Sequence, residues 1–376
     1  MTTVVISPFK TVTFLEGGGH FWVYMQYVQG LRELGCDVYW FERVPRTEPG
    51  PDMSRIEEWL QRLRGQGLDG KVILRIDDDY IGVTRPEAHA VFGGADLLLN
   101  FHYAIDPELL ARFRRTALVD IDPGLLQQWM SSGQLTVAPH DRYFTTGETV
   151  GTPSALFPDC DIEWVHIRPP VYLGMWPYSY DPRCEAFTTI TGWWSGKWQT
   201  EIVDGREVLY DNTKRASFLA FAELPRLTSQ PLELAAHMAA DDIEDQQVME
   251  GHGWRIRPSV DVARTPEMYR SYIQGSRGEL SCVKPSFVKL QNAWISDRSV
   301  CYLASGKPVV MQDTGPHPYL PSGEGIFRFS TPGEAAQALA TVNADYEHHC
   351  RAARKIAETY FDARTTSERI LDVALT

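Results

Sequence analysis

A glycine-rich segment ending in a histidine is the first place in the chain where the residue types suggest chemistry. Gly17, Gly18 and Gly19 precede His20, between a predicted strand at 3–7 and a predicted helix at 20–34. Glycines let a backbone turn sharply or approach a ligand closely. Histidine titrates near neutral pH and can take the proton of a hydroxyl group. His20 is therefore a candidate base, and the alternative is that its ring only holds its own loop by a hydrogen bond.

Basic and hydroxyl side chains lie beside predicted strand ends in the second half of the chain. The residues of this group are Lys214, Arg215, Lys284, Ser286, Arg298, Thr314 and Gly315. Cations, hydroxyl groups and the backbone N–H groups of helix N-termini bind anions, and glycine permits close approach of the backbone. Any one of these cations is equally well explained as a solvated surface charge. Their shared placement is what predicts an anion-binding site.

The elements that must position these residues form two successive series. Short apolar strands alternate with amphipathic helices, the series is interrupted around Pro169-Pro170 and Pro182, and it then starts again. Strands joined by helices form right-handed crossovers and a mostly parallel sheet. The pattern predicts an α/β protein of two Rossmann-like domains facing each other across a cleft, at residues 1–175 and 183–355. The last helix, within 356–376, is expected to pack back on the N-terminal domain.

The composition limits the partners of the protein. A net charge of −13 argues against nucleic acid or an anionic membrane as the main partner. The first residues lack the features of a secretory signal, and no apolar run approaches a membrane span of about 20 residues. The six cysteines are scattered, which is typical of reduced thiols rather than of a zinc site. We expect a cytoplasmic protein without a membrane span or a bound metal, and a homodimer is left open.

The segment at 296–315, SDRSVCYLASGKPVVMQDTG, carries a family resemblance. Its helix, its small-residue turn at 304–306 and its apolar strand after Lys307-Pro308 resemble the donor domain of GT-B glycosyltransferases. In that family the A-x-G-x-P-V-V pattern helps to cradle the nucleotide sugar. The resemblance is strong over these residues, moderate over 278–329 and topological in the N-terminal half. It departs from the family where Ala293 and Cys301 stand, because the upstream helix of family members often carries two acidic residues at these positions.

The resemblance implies a nucleotide-sugar donor bound by the C-terminal domain and an acceptor bound by the N-terminal domain, with domain closure completing the site. It implies no tightly bound cofactor, since the nucleotide sugar is a co-substrate. In inverting family members His20 would be the base, oriented by Asp122 or Asp120. We favour Asp122, which is nearer the carboxyl end of its predicted strand. In retaining members the departing phosphate can take the proton, and no side-chain base is needed.

The donor-binding residues that the resemblance implies are the following: Gly18, Gly19, Trp193, Lys214, Arg215, Lys284, Ser286, Asp297, Arg298, Thr314 and Gly315. Trp193 is chosen from a Gly/Trp loop, with Trp194 and Trp198 beside it, as a ring that could stack on a sugar or a base. Core packing is the ordinary alternative for such a tryptophan. Asp297 could bind sugar hydroxyl groups or could cap its own helix.

The sequence therefore predicts a metal-independent glycosyltransferase that acts on a hexosyl or related donor, with a small molecule or natural product as acceptor. A nucleotide-sugar epimerase of the same fold is the first alternative, and a non-catalytic protein that binds a nucleotide sugar or a partner is the second. The missing acidic pair favours the second. A nicotinamide-dependent oxidoreductase is disfavoured, because the first glycine loop lacks the G-x-G-x-x-G spacing. The cluster Asp77-Asp78-Asp79 is interpreted as a solvated turn.

Overall fold

The computed structural model describes residues 1–44, 51–194, 199–203 and 206–376. Trp198 and the predicted turn at Asp204-Gly205 lie outside these residues. The chain forms two compact units, which are not contiguous in sequence. Unit 1 consists of Met1–Gly151, Phe157–Tyr172 and Asp362–Thr376, and unit 2 consists of Thr152–Leu156 and Leu173–Phe361.

Unit 1 contains eight strands and six helices within the described residues. The strands are β1 Thr3–Ser7, β2 Asp37–Val44, β3 Val72–Ile76, β4 Asp79–Ile81, β5 Leu97–Asn100, β6 Thr116–Asp120, β7 Arg142–Thr145 and β8 Trp164–His166. The helices are α1 Gly18–Glu33, α2 Met53–Gly65, α3 Arg85–Gly94, α4 Pro107–Leu110, α5 Leu125–Ser131 and, at the end of the chain, α14 Ala363–Ala374.

Unit 2 contains the remaining strands and helices. The strands are β9 Phe187–Gly192, β10 Gln199–Val203, β11 Arg206–Tyr210, β12 Leu232–His237, β13 Arg255–Pro258, β14 Gly278–Ser281, β15 Val309–Gln312 and β16 Ile326–Phe329. The helices are α6 Lys214–Ala220, α7 Ile243–Gly251, α8 Val260–Ala263, α9 Pro266–Gln274, α10 Pro285–Leu290, α11 Asp297–Ala304, α12 Pro332–Ala344 and α13 Tyr346–Tyr360.

The sheet of unit 1 is parallel except for its edge strand. Its order is β4-β3-β2-β1-β5-β6-β7-β8, and only β4 pairs antiparallel. The strands have nearly continuous apolar runs, such as the fully buried Val4, Val5 and Ile6 of β1, because helices cover both faces of a parallel sheet. The strand order reverses at β1, whose neighbours are β2 and β5. In sheets of this kind, ligands bind beyond the carboxyl ends of the strands at that point.

Helix α14 completes unit 1 by packing against α1. Gly30 of α1 lies so close to α14 that an added Cβ would be 2.4 Å from the Ala363 carbonyl oxygen. Glycine is required here by the close approach of two backbones. Helix α14 also contacts β7, where Arg142 Nε donates to the Val373 carbonyl at 3.3 Å. The last helix is therefore an integral part of unit 1.

The main sheet of unit 2 repeats this architecture. Its order is β13-β12-β9-β14-β15-β16, all pairs are parallel, and the order reverses at β9. Buried aromatic and aliphatic side chains from the strands and from α12 form a core cluster of this unit. Strands β10 and β11 form a separate antiparallel hairpin inserted after β9. Within the described residues, no helix combines the length and the apolar character that a membrane span requires.

Candidate functional site

Lys214 and Arg298 mark the carboxyl edge of the unit 2 sheet. Lys214 is the first residue of α6, whose N-cap Thr213 accepts a hydrogen bond from the Ala216 N–H. The Lys214 side chain is only 8% exposed, and its Nζ donates to the Cys282 carbonyl, just beyond β14, at 2.8 Å. The ammonium group is thus fixed at the end of a central strand.

Arg298 joins β9 and β14 where the two strands separate. Only two residue pairs connect these strands, Gly278 with Phe187 and Glu279 with Thr188. Beyond them the Arg298 guanidinium donates to the Ile190 carbonyl at 2.8 Å, to Ser281 Oγ at 2.6 Å and to Glu279 at 2.6 Å. Each of its three nitrogens therefore has a protein partner. These three hydrogen bonds use three of the five N–H groups of the guanidinium, so Arg298 holds the edge together and adds positive charge to it.

Positive charge exceeds negative charge in this cluster. Burial is the largest cause that lowers the pKa of Lys214 to about 7, and the charges of Arg298 and Lys284 act in the same direction. Glu279, fully buried, is the acid that pairs with Arg298. A buried amine beside two further cations is costly to protonate unless an anion compensates it. The cluster is therefore electrostatically suited to a bound anion.

Two buried polar groups next to Lys214 lack hydrogen-bond partners. In the described part of the chain, Ser286 Oγ and Asn212 Nδ2 are buried and make no hydrogen bond. The opposite atom of the amide, Asn212 Oδ1, accepts the Ser286 backbone N–H at 2.7 Å, so the two residues are fixed together. Buried donors are normally satisfied, and an exception calls for a ligand or ordered water. Ser286 was predicted from the sequence, whereas Asn212 was not. The only indication of a role for Asn212 in the sequence is its position two residues before Lys214.

The other candidates of unit 2 lie on neighbouring loops of the same edge. Lys284 is the N-cap residue of α10, with its Nζ 5.6 Å from the centre of the Phe287 ring. Thr314 follows β15, is fully buried, and donates through Oγ1 to the Trp294 carbonyl at 2.7 Å. Gly315 has a φ of +118°, and an added Cβ would be 2.7 Å from the Gln291 carbonyl oxygen. Glycine is required there for the backbone turn.

Asp297 is the first residue of α11, but it is not the cap of that helix. Ser296 is the N-cap residue, and its side chain accepts a hydrogen bond from the Arg298 N–H. The alternative that Asp297 caps α11 is therefore wrong. Its interpretation as a ligand for sugar hydroxyl groups stays a prediction.

The surroundings of Trp193 correct one of the predicted donor contacts, and Arg215 lies beside it. Trp193 has no exposed surface, lies parallel to Phe218, and donates through Nε1 to Asp245 at 2.9 Å. Arg215 forms a two-point ion pair with the same carboxylate, its Nη2 lying 2.8 Å from Oδ1. Trp193 is a core residue, because burial leaves its ring no face for a ligand. Trp194, 52% exposed and 5.3 Å from the Arg215 guanidinium, is the accessible aromatic residue of this loop.

His20 lies on the first turn of α1 at the carboxyl edge of the unit 1 sheet. Its Nε2 is 2.6 Å from the Phe9 carbonyl oxygen, and its ring contacts those of Phe14 and Tyr24. A carbonyl oxygen only accepts, so Nε2 carries the proton and Nδ1 carries the lone pair of the neutral ring. Burial lowers the pKa of His20, while the Phe9 hydrogen bond acts in the opposite direction. The neutral ring is thus favoured at neutral pH.

The hydrogen-bond partner of His20 is the Phe9 carbonyl and not the Asp122 carboxylate. The Asp122 backbone N–H donates to the Tyr103 hydroxyl at 3.1 Å and to Asp120 Oδ1 at 3.0 Å, which shapes the turn into α5. The predicted orientation of His20 by Asp122 is therefore corrected. The Phe9 carbonyl fixes the tautomer instead.

Asp120 is buried within a complete hydrogen-bond network. Oδ2 accepts Gln127 Nε2 at 2.9 Å and Thr145 Oγ1 at 3.0 Å, and Oδ1 also accepts the Tyr103 hydroxyl at 3.3 Å. Burial raises the pKa of Asp120 to about 7 against the effect of these donors. Its oxygens are thus occupied by the protein. Asp120 is a structural residue that fixes the ends of β6 and β7.

The two candidate glycines begin α1. Gly17 is the N-cap, and an added Cβ there would be 2.4 Å from the Phe14 ring, whereas Gly18 and Gly19 form the start of the helix. This N-terminus has no side-chain cap and no acidic residue in its first turn. Among the described residues, no group of three or more His, Cys, Asp or Glu side chains is arranged to hold a metal ion.

The structure thus groups the predicted residues by unit. At the unit 2 edge it brings Lys214, Lys284, Ser286 and Arg298 together and adds Asn212. His20, Gly18 and Gly19 belong to unit 1. Trp193 is removed from the ligand-facing set by burial, whereas a role of Arg215 in donor binding stays a prediction.

Comparison with known proteins adds information at the level of the fold. No family model matches the sequence, and no curated protein matches it. Among solved structures, AviGT4, a glycosyltransferase involved in avilamycin A biosynthesis, is 14% identical with a TM-score of 0.57 and covers 100% of this chain and 97% of its own. An alpha-glucosyltransferase in complex with UDP is 11% identical with a TM-score of 0.60, covering both chains fully. HepE from Anabaena in complex with UDP and glucose is 11% identical with a TM-score of 0.55, covering 99% of each chain.

At sequence identities this low, structural similarity shows a shared architecture but not a shared activity. The similarity nevertheless extends over both Rossmann-like units and the returning C-terminal helix, since it covers the whole chain in each case. The chain has the fold of the GT-B glycosyltransferases.

Proposed function

We propose that the protein is a glycosyltransferase that binds the diphosphate of a nucleotide sugar at the carboxyl edge of unit 2. The observation that carries this proposal is the cluster around Lys214, where a buried amine with a lowered pKa adjoins two further cations and two unsatisfied donors. A protein with a net charge of −13 has an excess of positive charge at this point. The cluster lies where the strand order reverses, which is the ligand position of open α/β sheets.

A diphosphate matches the chemical requirements of this cluster. Its oxygens accept hydrogen bonds from Ser286 Oγ and Asn212 Nδ2, the two donors that lack partners among the described residues. Its negative charge would raise the pKa of Lys214 back toward the ordinary lysine value and offset the burial cost of the ammonium group. Binding of the anion and protonation of Lys214 are therefore expected to be coupled.

Uridine diphosphate is the first donor nucleotide to test. HepE and the alpha-glucosyltransferase, both similar in fold, were determined in complex with UDP. A hexosyl group is the corresponding sugar, since HepE was determined with glucose as well. These two structures support the choice at the level of the fold only.

We further propose that His20 is the base that takes the proton of the acceptor hydroxyl. The nitrogen that accepts the proton is Nδ1, because Nε2–H is held by the Phe9 carbonyl. Loss of this proton lets the acceptor oxygen form a bond to the anomeric carbon while the bond from that carbon to the diphosphate breaks. The charge on the leaving diphosphate is stabilised by the cations of unit 2. A histidine base of this kind corresponds to an inverting reaction.

The acceptor is proposed to be a small hydroxyl-bearing molecule. AviGT4, which has the same fold, takes part in the biosynthesis of a natural product. The Phe14 ring, 53% exposed, lies 5.8 Å from the His20 ring and would contact an apolar part of such a molecule.

The test is the thermal stability of the purified protein with a panel of nucleoside diphosphates and nucleotide sugars. A ligand that binds the folded state alone raises the Tm by mass action. We expect the largest shift with UDP and UDP-hexoses, loss of that shift in Lys214→Ala, and its retention in Lys355→Ala, which removes an exposed lysine of α13. No shift with any nucleotide would contradict the proposed donor site.

A non-catalytic nucleotide-sugar-binding protein is the second candidate, favoured by one observation. Ala293 and Cys301 occupy the positions where the resembling family carries acids, and both are buried, at 1% and 3% exposure. Incubation with UDP-hexose and a panel of hydroxyl acceptors distinguishes the two candidates. UDP-hexose binding without release of UDP identifies the non-catalytic protein.

A further inference from the structure

A lysine and a cysteine form an isolated pair at the amino edge of the unit 2 sheet, opposite the proposed donor site. Lys307 precedes β15 and is fully buried. Its Nζ is 3.8 Å from the Cys184 sulfur, which is its one side-chain hydrogen-bond partner among the described residues. Lysine is almost never fully buried without an anionic partner. This position therefore needs an explanation beyond packing.

The backbone on both sides of the pair is fixed. The Cys184 N–H donates to the Asp181 carbonyl at 3.2 Å, and Arg277 Nη1 donates to the Cys184 carbonyl at 3.2 Å. The Lys307 N–H donates to the Tyr302 carbonyl at 2.9 Å. The amine and the thiol are thus held next to each other by the fold and not by a flexible loop.

Burial favours the neutral form of the Lys307 amine. It lowers the pKa of Lys307, while the nearby Cys184, Cys350 and Asp181 act in the opposite direction. The other titratable and charged groups of this region are Arg183, Glu185, Arg277, Tyr346 and Glu347. A neutral amine is a nucleophile, whereas a protonated one is not.

Cys184 is accessible to a small oxidant. It is partly exposed and lines an open surface pocket of about 560 Å³ together with Arg183, Glu185 and Asn343. Hydrogen peroxide oxidises an accessible cysteine to a sulfenic acid, which condenses with nearby nitrogen or sulfur nucleophiles. The nitrogen nucleophile beside the Cys184 sulfur is the Lys307 amine.

We propose that peroxide converts Cys184 and Lys307 into a reversible sulfur–nitrogen cross-link. In the first step the thiol reacts with hydrogen peroxide, and the products are Cys184 sulfenic acid and one water molecule. In the second step the Lys307 amine attacks the sulfenic sulfur, the S–N bond forms, the S–O bond breaks, and a second water molecule leaves. Sulfur is oxidised, peroxide is reduced, and the protein loses two hydrogen atoms. A thiol reductant attacks the sulfur and releases the amine.

The cross-link would join the segment before β9 to the turn before β15. These strands are not neighbours, since β14 lies between them. The bond would therefore brace the amino edge of the sheet across three strands. This site is a modification site for peroxides that goes beyond the proposed transferase activity.

The experiment treats the purified protein with hydrogen peroxide and analyses its peptides without reduction. We expect a species that joins the Cys184 and Lys307 peptides, lighter by two hydrogens than their sum, which fragmentation localises to this pair and a thiol reductant removes. Cys184→Ser and Lys307→Met should both abolish it. Lys307→Met keeps the length of the side chain and removes the amine. The folding of this variant is verified by its Tm before oxidation.

Cys36 and Cys160 provide internal controls, because both are partly exposed like Cys184. We expect Cys184 to be consumed faster than either of them in the same sample. Oxidation of Cys184 to a sulfinic acid or to a disulfide with Cys350 in the native protein, without the lysine cross-link, would overturn the proposal. Equal oxidation of Cys184, Cys36 and Cys160 would do so as well.

Discussion

The carboxyl edges of the two sheets are built from the same strand order but have opposite electrostatic character. In unit 1 the buried charged residues of this edge are acids, Glu42 and Asp120, and burial raises the pKa of each to about 7. The Glu42 carboxylate accepts hydrogen bonds from Thr11 Oγ1 and from the Val12 N–H, so its oxygens are occupied. In unit 2 the edge is cationic, and two of its buried donors lack partners among the described residues.

The difference indicates which kind of ligand each edge suits. An edge whose acids are satisfied by the protein offers no charge to an anion, but it can present a neutral histidine to a hydroxyl group. An edge with excess cations and unsatisfied donors is incomplete without an anion. In the reaction proposed above, the edge of unit 1 would provide the base and the edge of unit 2 would bind the leaving diphosphate. Five changes would test this division.

The largest expected effect is that of His20→Ala on turnover. Loss of a general base typically lowers the rate by about 10²- to 10⁴-fold. The Tm shift produced by nucleotides should be unchanged, because His20 belongs to the other edge. Since burial lowers the pKa of His20, the acid limb of the kcat profile should lie below the ordinary histidine pKa of 6.5. The measurement is steady-state kinetics over a range of pH. The nucleotide-dependent Tm is the control for binding.

Asp122→Asn is the matched variant for the orientation of His20. We expect less than about threefold change in kcat, because the Phe9 carbonyl fixes the histidine tautomer. A loss as large as that of His20→Ala would restore Asp122 as the orienting residue.

Lys214→Met should remove donor binding and leave the fold intact. Loss of one electrostatic contact to a developing charge costs about 10²- to 10³-fold in rate. The free protein should be at least as stable as the native one near pH 7, because a buried amine with a lowered pKa opposes folding when protonated. The unfolded chain holds more protons than the folded one between pH 7 and the ordinary lysine pKa, so the native protein gains stability as the pH rises through this window. Lys214→Met should lack this gain in thermal unfolding.

Asp120→Asn should destabilise unit 1 without weakening nucleotide binding. The new amide nitrogen would face donors that the carboxylate now accepts, at a cost of about 1–3 kcal/mol. Because burial raises the pKa of Asp120 to about 7, the folded state holds more protons than the unfolded state between pH 4 and 7. Stability from this group is thus greatest below pH 4 and is lost as the pH rises to 7. Chemical denaturation at several pH values should show a smaller fall in the free energy of unfolding between pH 4 and 7 for Asp120→Asn than for the native protein. Part of the fall should remain, because Glu42 also contributes to it.

A smaller effect than that of Lys214→Met is expected for Ser286→Ala. Its hydroxyl has no partner among the described residues, so its removal should leave the Tm of the free protein unchanged. Loss of one hydrogen bond to a charged ligand should weaken nucleotide affinity by about tenfold, or about 1.4 kcal/mol. Isothermal titration calorimetry makes the comparison. A lower Tm with unchanged affinity would identify Ser286 as a structural residue.

Much of the architecture was predictable, because buried parallel strands are short apolar runs bounded by turns. Strand β1 has the predicted limits, Thr3–Ser7, and α1 at Gly18–Glu33 lies within two residues of the predicted helix at 20–34. The interpretation of 77–79 as a turn is correct for Asp77 and Asp78, which connect β3 to β4. Helix α7 is hard to predict, because its nine residues bury one large side chain, Met249, and no apolar period appears in the sequence.

The site was less predictable, since residue type does not reveal which partners a side chain will have. Arg298 and Lys214 are both basic residues near strand ends, yet Arg298 forms an ion pair with a buried carboxylate, whereas Lys214 donates to a carbonyl and adjoins donors that lack partners among the described residues. Trp193 and Trp194 are adjacent and chemically identical, yet their exposures are 0% and 52%. Such distinctions depend on tertiary packing between segments far apart in sequence, such as Trp193 with Asp245.

The return of the chain to unit 1 after Asp362 has a consequence for synthesis. During translation residues 1–172 emerge first, but α1 lacks its packing partner α14 until the whole of unit 2 has been made. The apolar flank of α1 must remain uncovered during that interval, whereas unit 2 can close as soon as Phe361 has left the ribosome. The second unit to be synthesised can thus finish folding before the first. Nascent chains that stall before residue 363 are expected to be sensitive to proteases in their N-terminal half.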